Sequence, residues 1–325
     1  MKNRVITILI LIILSSGIMA QPPETAYLGT VAKTGYADDE SYGPFNIGFN
    51  FTYFGISYSQ FYVSSNGLVL FTSDPANISK SEAAIPASAA PNNFIAAFWD
   101  DLVVDPAGKI LYTTIGSVGN RKLIVQFFNM GFYTFPVAMG TFQVIVYETS
   151  NIIQIQYRQI VVVNSANAHG ASATIGLENA DGTAGTEYSY HNATAITPEQ
   201  AISFTPSGPA YTVNANAVYD GIYLTSNLNL PEPGITNLVS PPENAVIGTS
   251  HTFVWSSASN AASYKLYIST NSDLSGAATY TAGANLTYDI TGLTPDITYY
   301  WGVFATNTTG TSWCEIQKFT TNSTP

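Results

Sequence analysis

Between Phe45 and Thr205 nearly every apolar run is four to eight residues long, rich in Val, Ile, Phe, Tyr and Thr, and closed by Gly, Asn, Asp, Pro or Ser. A helix needs apolar positions three and four apart over a dozen residues, and no such period is sustained after residue 20. The chain is therefore expected to be all-β. NIIQIQYR shows the pattern most plainly: Ile153, Ile155 and Tyr157 alternate with Gln154, Gln156 and Arg158, which predicts one face on a core and the other in water. TFQVIVYE runs into it through a short turn at 149–151, so the two form an antiparallel hairpin. Further strands are predicted at 45–54, 60–65, 67–72, 94–99, 109–114, 122–128, 173–178, 187–191 and 201–205. Short strands punctuated by turn residues make a β-sandwich. Two connections, 74–93 and 129–140, are long, and long loops in compact domains tend to be functional or mobile.

The first twenty residues place Lys2 and Arg4 ahead of an apolar run, Val5 to Leu14, and small residues ending at Ala20. That is the layout of a secretory signal peptide, and ten apolar residues fall short of the roughly 20 that span a bilayer. After cleavage, eight basic residues face 21 acidic ones, a net charge of −13. Such a charge repels phosphate backbones, so nucleic acid is excluded as a partner, and no stable membrane span is expected in the remaining chain. The single cysteine, Cys314, forms no intramolecular bridge and reads as a small core residue. The expected organisation is a signal peptide at 1–20, a first sandwich at 21–206, a linker at 207–231 that has room for an added strand, a second sandwich at 232–322 and a tail at 323–325. The prolines of PEPG, 231–234, read as a stiff spacer.

Residues 232–322 resemble a fibronectin type III domain. The likeness rests on PPENAVIG, FVW with Trp255, YKLYIS with Tyr264, and LTPDITYYWGVFA with Tyr299 and Trp301. Tyr299 stands where that fold class bonds a tyrosine hydroxyl back to upstream backbone. Residues 43–191 are similar to a nidogen-like β-sandwich module of secreted and surface-attached bacterial and archaeal proteins, through GFNFTYFG, YVSSNGLVLF, IAAFWDDL, TFQVIVYE, IQIQYR and ATIGLENADGTAG. The resemblance implies adhesion or accessory roles and attaches no general catalytic activity.

Two groups of residues are candidates for chemistry. In FIAAFWDDL, Trp99 reads as structural, and an extended strand would send Asp100 and Asp101 to opposite faces, which prevents paired acid–base work. In a loop the two could instead join Asp105 around calcium, or simply bond neighbouring backbone at the strand end. ADDE, 37–40, reads as a solvated acidic run, and NADG within 178–187 as a turn. The second group is NMGFYTFPVAMG, where Phe132, Tyr133 and Phe135 could grip a sugar ring or a protein patch, or fold back over the core. His169, His191 and His251 are scattered, and the sequence around Ser172 is no nucleophile motif. The expected function is a secreted or cell-surface, non-enzymatic adhesion protein that binds extracellular protein or glycan through sandwich loops. The alternative is a carbohydrate-binding accessory module for polymer degradation. No cofactor is expected beyond a possible calcium ion.

Overall fold

The structure, a computed structural model, describes residues 25–72, 81–133, 135–160, 166–272 and 274–322, without the side chains of 105–107, 135–138 and 313. In chain order the strands of the first half are β1 (Thr25–Leu28), β2 (Thr30–Thr34), β3 (Ala37–Asp38), β4 (Ser41–Tyr53), β5 (Ile56–Ser64), β6 (Leu68–Leu70), β7 (Phe94–Trp99) and β8 (Leu102–Ile115). They continue with β9 (Lys122–Phe132), β10 (Phe135–Tyr147), β11 (Ile153–Ile160), β12 (Thr174–Glu178), β13 (Gly185–Tyr190), β14 (Gln200–Ser207), β15 (Ala210–Asn214) and β16 (Ile222–Thr225). Among the described residues the only helical element is a 3-10 turn at Asn167–His169, and no helix is long and apolar enough to cross a membrane.

An eight-stranded sheet in the order β15-β14-β11-β10-β9-β8-β2, with β3 also on β8, faces a six-stranded sheet in the order β13-β12-β7-β6-β5-β4. Their facing sides build one core. Phe51, Phe61, Val69, Ile95 and Ala97 come from one sheet, and Val125, Phe127, Val144 and Ile155 from the other, all essentially inaccessible. Phe127 and Phe142 stack at 4.8 Å, and the buried Tyr157 hydroxyl donates to Ala97 O at 2.6 Å across the sandwich.

Two expectations need correction. The stretch 129–140 is a hairpin rather than a long loop: β9 runs to Phe132 and β10 starts at Phe135, with register shifts absorbing the extra residues. The glutamine face of 153–158 is covered rather than wet. Residues 218–225 cross the outer side of the eight-stranded sheet, where β16 pairs in parallel with β1, and their Ile222 and Leu224 pack with Leu111, Ile124 and Ile145 of the sheet. Under that cover a ladder of amides runs across three strands. Gln156 Nε2 donates to Gln143 Oε1 (2.5 Å), Gln143 Nε2 to Gln126 Oε1 (2.7 Å) and Ile222 O (3.0 Å), and Gln126 Nε2 to Leu224 O (2.8 Å). Leu224 N–H and Asp220 N–H return bonds to Gln126 and Gln156. A buried amide costs free energy unless its donors and acceptors are matched, and here the covering backbone matches them. In the PEPG stretch Glu232 is 3% exposed and Gly234 N–H bonds Ser259 O at 2.8 Å, so the segment is packed against its surroundings.

The second sandwich comprises β17 (Leu238–Ser240), β18 (Ala245–Ile247), β19 (His251–Trp255), β20 (Ser263–Ser269), β21 (Ala278–Gly283), β22 (Thr287–Ile290), β23 (Thr298–Thr306), β24 (Thr311–Trp313) and β25 (Gln317–Thr321). A β17-β19-β22 sheet faces a β18-β25-β23-β20-β21 sheet with β24 on β23, the arrangement implied by the fibronectin type III resemblance. Trp255 and Trp301 are buried between them, and Phe253 meets Trp301 edge-on at 5.0 Å. The Tyr299 hydroxyl accepts from Thr294 N–H at 3.1 Å, five residues upstream.

Candidate functional site

The end of β7 determines where the two aspartates go. Ala96 pairs with Gly176 and Trp99 with Thr174, so two residues, Ala97 and Phe98, oppose the single Ile175, a bulge. It turns Phe98 into the central core and Trp99 to the outer side, where Trp99 meets Phe94 edge-on at 5.3 Å under Ile85. The strand then ends. Leu102 N–H bonds Asp100 O at 2.8 Å and Asn66 Oδ1 at 3.1 Å, folding residues 100 and 101 into a tight turn. Gly67 makes room for it: at φ +77°, its Cβ would lie 2.1 Å from Phe98 O.

Within that turn the two carboxylates separate. Asp100 is 6% exposed, accepts from Asp101 N–H (2.8 Å) and from the Ser172 hydroxyl (2.6 Å). Burial pushes its pKa up to about 6 against those two bonds, with help from the charges of Glu82 and Asp101. Glu82 in turn holds His191 Nε2 at 2.9 Å. The Ser172 hydroxyl and the His191 ring are thus committed to different carboxylates, which is not a nucleophile–base arrangement.

Asp101 goes the other way. One oxygen from each of Asp38, Asp39 and Asp101 lies within 4.8 Å of the others. Of the trio Asp100, Asp101 and Asp105 read from the sequence, Asp100 is taken by Ser172 and the Asp105 side chain lies outside the described residues; among the described residues, Asp101 converges with Asp38 and Asp39. Asp38 and Asp39 come from the acidic run read as solvated. They are brought in because β3 pairs with β8, Ala37 opposite Val104 and Asp38 opposite Val103. Asn66 Nδ2 fixes Asp39 Oδ1 at 2.9 Å. Three carboxylate oxygens this close are a donor set suited to a hard cation such as calcium or to a basic group of a partner.

The aromatic candidates reach the same place. Tyr133 N–H bonds Asp101 O at 2.9 Å, and the Tyr133 ring is 51% exposed. Tyr36, 58% exposed, stands beside it: its phenol is raised by partial desolvation and by Asp38, Tyr133 and Asp101 in turn. Phe132, also expected to bind, is instead a core residue, 7% exposed and edge-on to Phe98 at 6.2 Å. The Phe135 side chain lies outside the described residues. Tyr36 was the residue that sequence reasoning missed; its only local signal is its place one residue ahead of the acidic run.

NADG is a turn: Asp181 Oδ1 accepts from Thr183 N–H at 3.1 Å and Asn179 Oδ1 from Ala184 N–H at 3.0 Å, closing the β12–β13 hairpin. The packed sandwiches, with tyrosines and carboxylates gathered at the β7–β8 turn, define a tandem β-sandwich protein. A comparison with protein families adds the particular lineage: the profile described as NIDO related matches residues 24–215, and the chain belongs to that family. A comparison with curated proteins finds no match. Among solved structures, the chain is similar to an Fn3-like protein from Clostridium thermocellum at 21% identity, over 29% of this chain and 95% of that one, with a TM-score of 0.22. It is also similar to the sixth fibronectin type III domain of human fibronectin type III domain containing protein 3, at 21% identity over 29% and 87%, TM-score 0.22. A third is FN3tt, at 22% identity over 27% and 92%, TM-score 0.19.

Proposed function

We propose that the protein is a secreted or surface-held, non-enzymatic interaction module whose contact patch is Tyr36, Tyr133, Asp38, Asp39 and Asp101. The observation that carries this reading is the convergence at one sandwich end of two half-exposed tyrosines with three clustered carboxylates. Large aromatic faces beside charged rims are what protein and glycan contacts use. The net charge of −13 after residue 20 favours a partner presenting basic groups, and repels nucleic acid. Family membership supports an extracellular module of this kind, with residues 1–20 removed on export, the first sandwich at 21–206, a connecting segment at 207–231 and the second sandwich at 232–322. Binding of a glycan as an accessory to polymer degradation is the second reading, favoured by the tyrosine pair alone.

The test is a combined glycan and matrix-protein array probed with residues 21–325, with calcium and with chelator. Tyr36→Ala with Tyr133→Ala, and Asp101→Asn, are probed in parallel. The expected result is a set of ligands lost by both variants, and the chelator arm tells whether a hard cation takes part. Ligands retained by both variants would move the contact elsewhere, and turnover of any arrayed polymer would overturn the non-enzymatic reading.

A further inference from the structure

We propose that the two sandwiches are fastened into a single rigid body by the partly buried ammonium of Lys109, paired with the fully enclosed Glu232 carboxylate, so that the segment between them is a clamp rather than a hinge. Lys109 projects from β8 of the first sandwich. Its three N–H groups go to three different parts of the chain: Ser226 Oγ at 3.2 Å, Glu232 Oε1 at 3.0 Å, and the carbonyl of Thr309 in the turn between β23 and β24 of the second sandwich. An ammonium has three donors and no acceptor, so the set is complete.

Glu232 is equally enclosed. Its side chain has no accessible surface; Oε1 also accepts from Ser226 Oγ–H at 3.2 Å and Oε2 from the Tyr223 hydroxyl at 3.1 Å. A carboxylate so buried needs its cation in place, and moving the second sandwich away would take the Thr309 carbonyl from that cation and open the pair to water. Gly310 seals the contact: a Cβ there would lie 2.8 Å from Glu232 Cγ.

Neighbouring bonds tie the second sandwich to the connecting segment and to β9. Thr309 Oγ1–H donates to Leu230 O at 2.8 Å, Asn307 Nδ2 to Pro231 O at 2.8 Å, Ser312 Oγ to Pro233 O, and Asn129 Nδ2 of β9 donates to Thr311 O. Apolar contact accompanies them, since Leu274 and Ile316 of the second sandwich are buried in the same cluster as the first core. Tandem domains ordinarily move relative to one another unless their interface is large and apolar or otherwise held. Here the junction combines a closed ion pair, backbone-directed hydrogen bonds and shared core. The consequence is a fixed distance between the tyrosine–carboxylate patch and the far end of the second sandwich.

The experiment measures that distance distribution directly. Spin labels are placed on the full chain at Val118→Cys and Val246→Cys, positions 80% and 65% exposed on the first and second sandwich, while Cys314 stays buried. Pulsed electron–electron resonance is expected to give one narrow distance. Lys109→Met, which keeps the stem and removes the charge, is expected to broaden it about twofold or more, and Glu232→Gln, which keeps the shape, to do the same. A broad distribution in the labelled parent chain would overturn the proposal, as would widths unchanged in a folded Lys109→Met or Glu232→Gln chain.

Discussion

Replacing Gln143 with Leu tests whether the outer face of the eight-stranded sheet is a dry polar seam. Gln143 is fully buried; its amide donates to Gln126 Oε1 and Ile222 O and accepts from Gln156 Nε2. Leucine has nearly the same volume, so no cavity forms, but all three bonds vanish. Gln126 Oε1 keeps the Leu224 N–H at 2.9 Å, whereas Ile222 O and Gln156 Nε2 lose the partner described here. Two buried groups left unmatched cost about 1–3 kcal/mol each, and the added apolar burial returns about 1–2 kcal/mol, so the middle of those ranges leaves a net loss of about 2.5 kcal/mol. That is a large share of the roughly 5–15 kcal/mol that holds a domain folded. Urea unfolding followed by far-UV circular dichroism measures it, with Gln60→Leu, on an exposed position of β5, as a control expected to stay within about 0.5 kcal/mol. If Gln143→Leu is as stable as the parent chain, the amide face is solvated, as strand alternation alone predicts, and the covering role assigned to 218–225 is wrong.

The pH dependence of stability carries a second expectation. Asp100, at about 6, and Glu178, whose burial pushes it up to about 7, both hold protons more tightly folded than unfolded, so stability should fall as pH rises from about 4 to about 7. Asp100→Asn should remove about 3 kcal/mol of that slope at most, and a slope unchanged in this variant, measured by urea midpoints at pH 4.5 and 7.5, refutes the assignment. Burial pushes the Cys314 thiol up to about 12, and Val303 N–H bonds its sulfur at 2.8 Å. It should therefore be silent to a thiol reagent in the native chain and react fully in denaturant; fast native labelling would contradict the packing.

Local physics made most of the secondary structure legible. The hairpin of β10 and β11 was visible because two alternating runs flank a turn, and β7 was placed at 94–99 because an apolar run ends at two aspartates. The strands β1 to β3 were not visible: TAYLGTVAKTGYAD carries no strong apolar alternation and is held by pairing to β16 and β8, far along the chain. The candidate site was half legible. Tyr133 and Asp101 stood out by residue type, but their adjacency depends on a backbone bond between them, and Tyr36 and Asp38 arrive only through the β3–β8 register. Phe132 misled because an aromatic beside a turn looks the same in sequence whether it faces the core or the solvent.

By itself the amino-acid order determined an all-strand tandem with buried tryptophans, since period-two alternation and turn residues act over a few positions. Tertiary structure alone decided which face of each strand is covered, which acid meets which, and that Lys109 reaches Thr309 two hundred residues away. Those outcomes depend on where distant segments come to rest, and a side chain's immediate neighbours in sequence exert no force that specifies them.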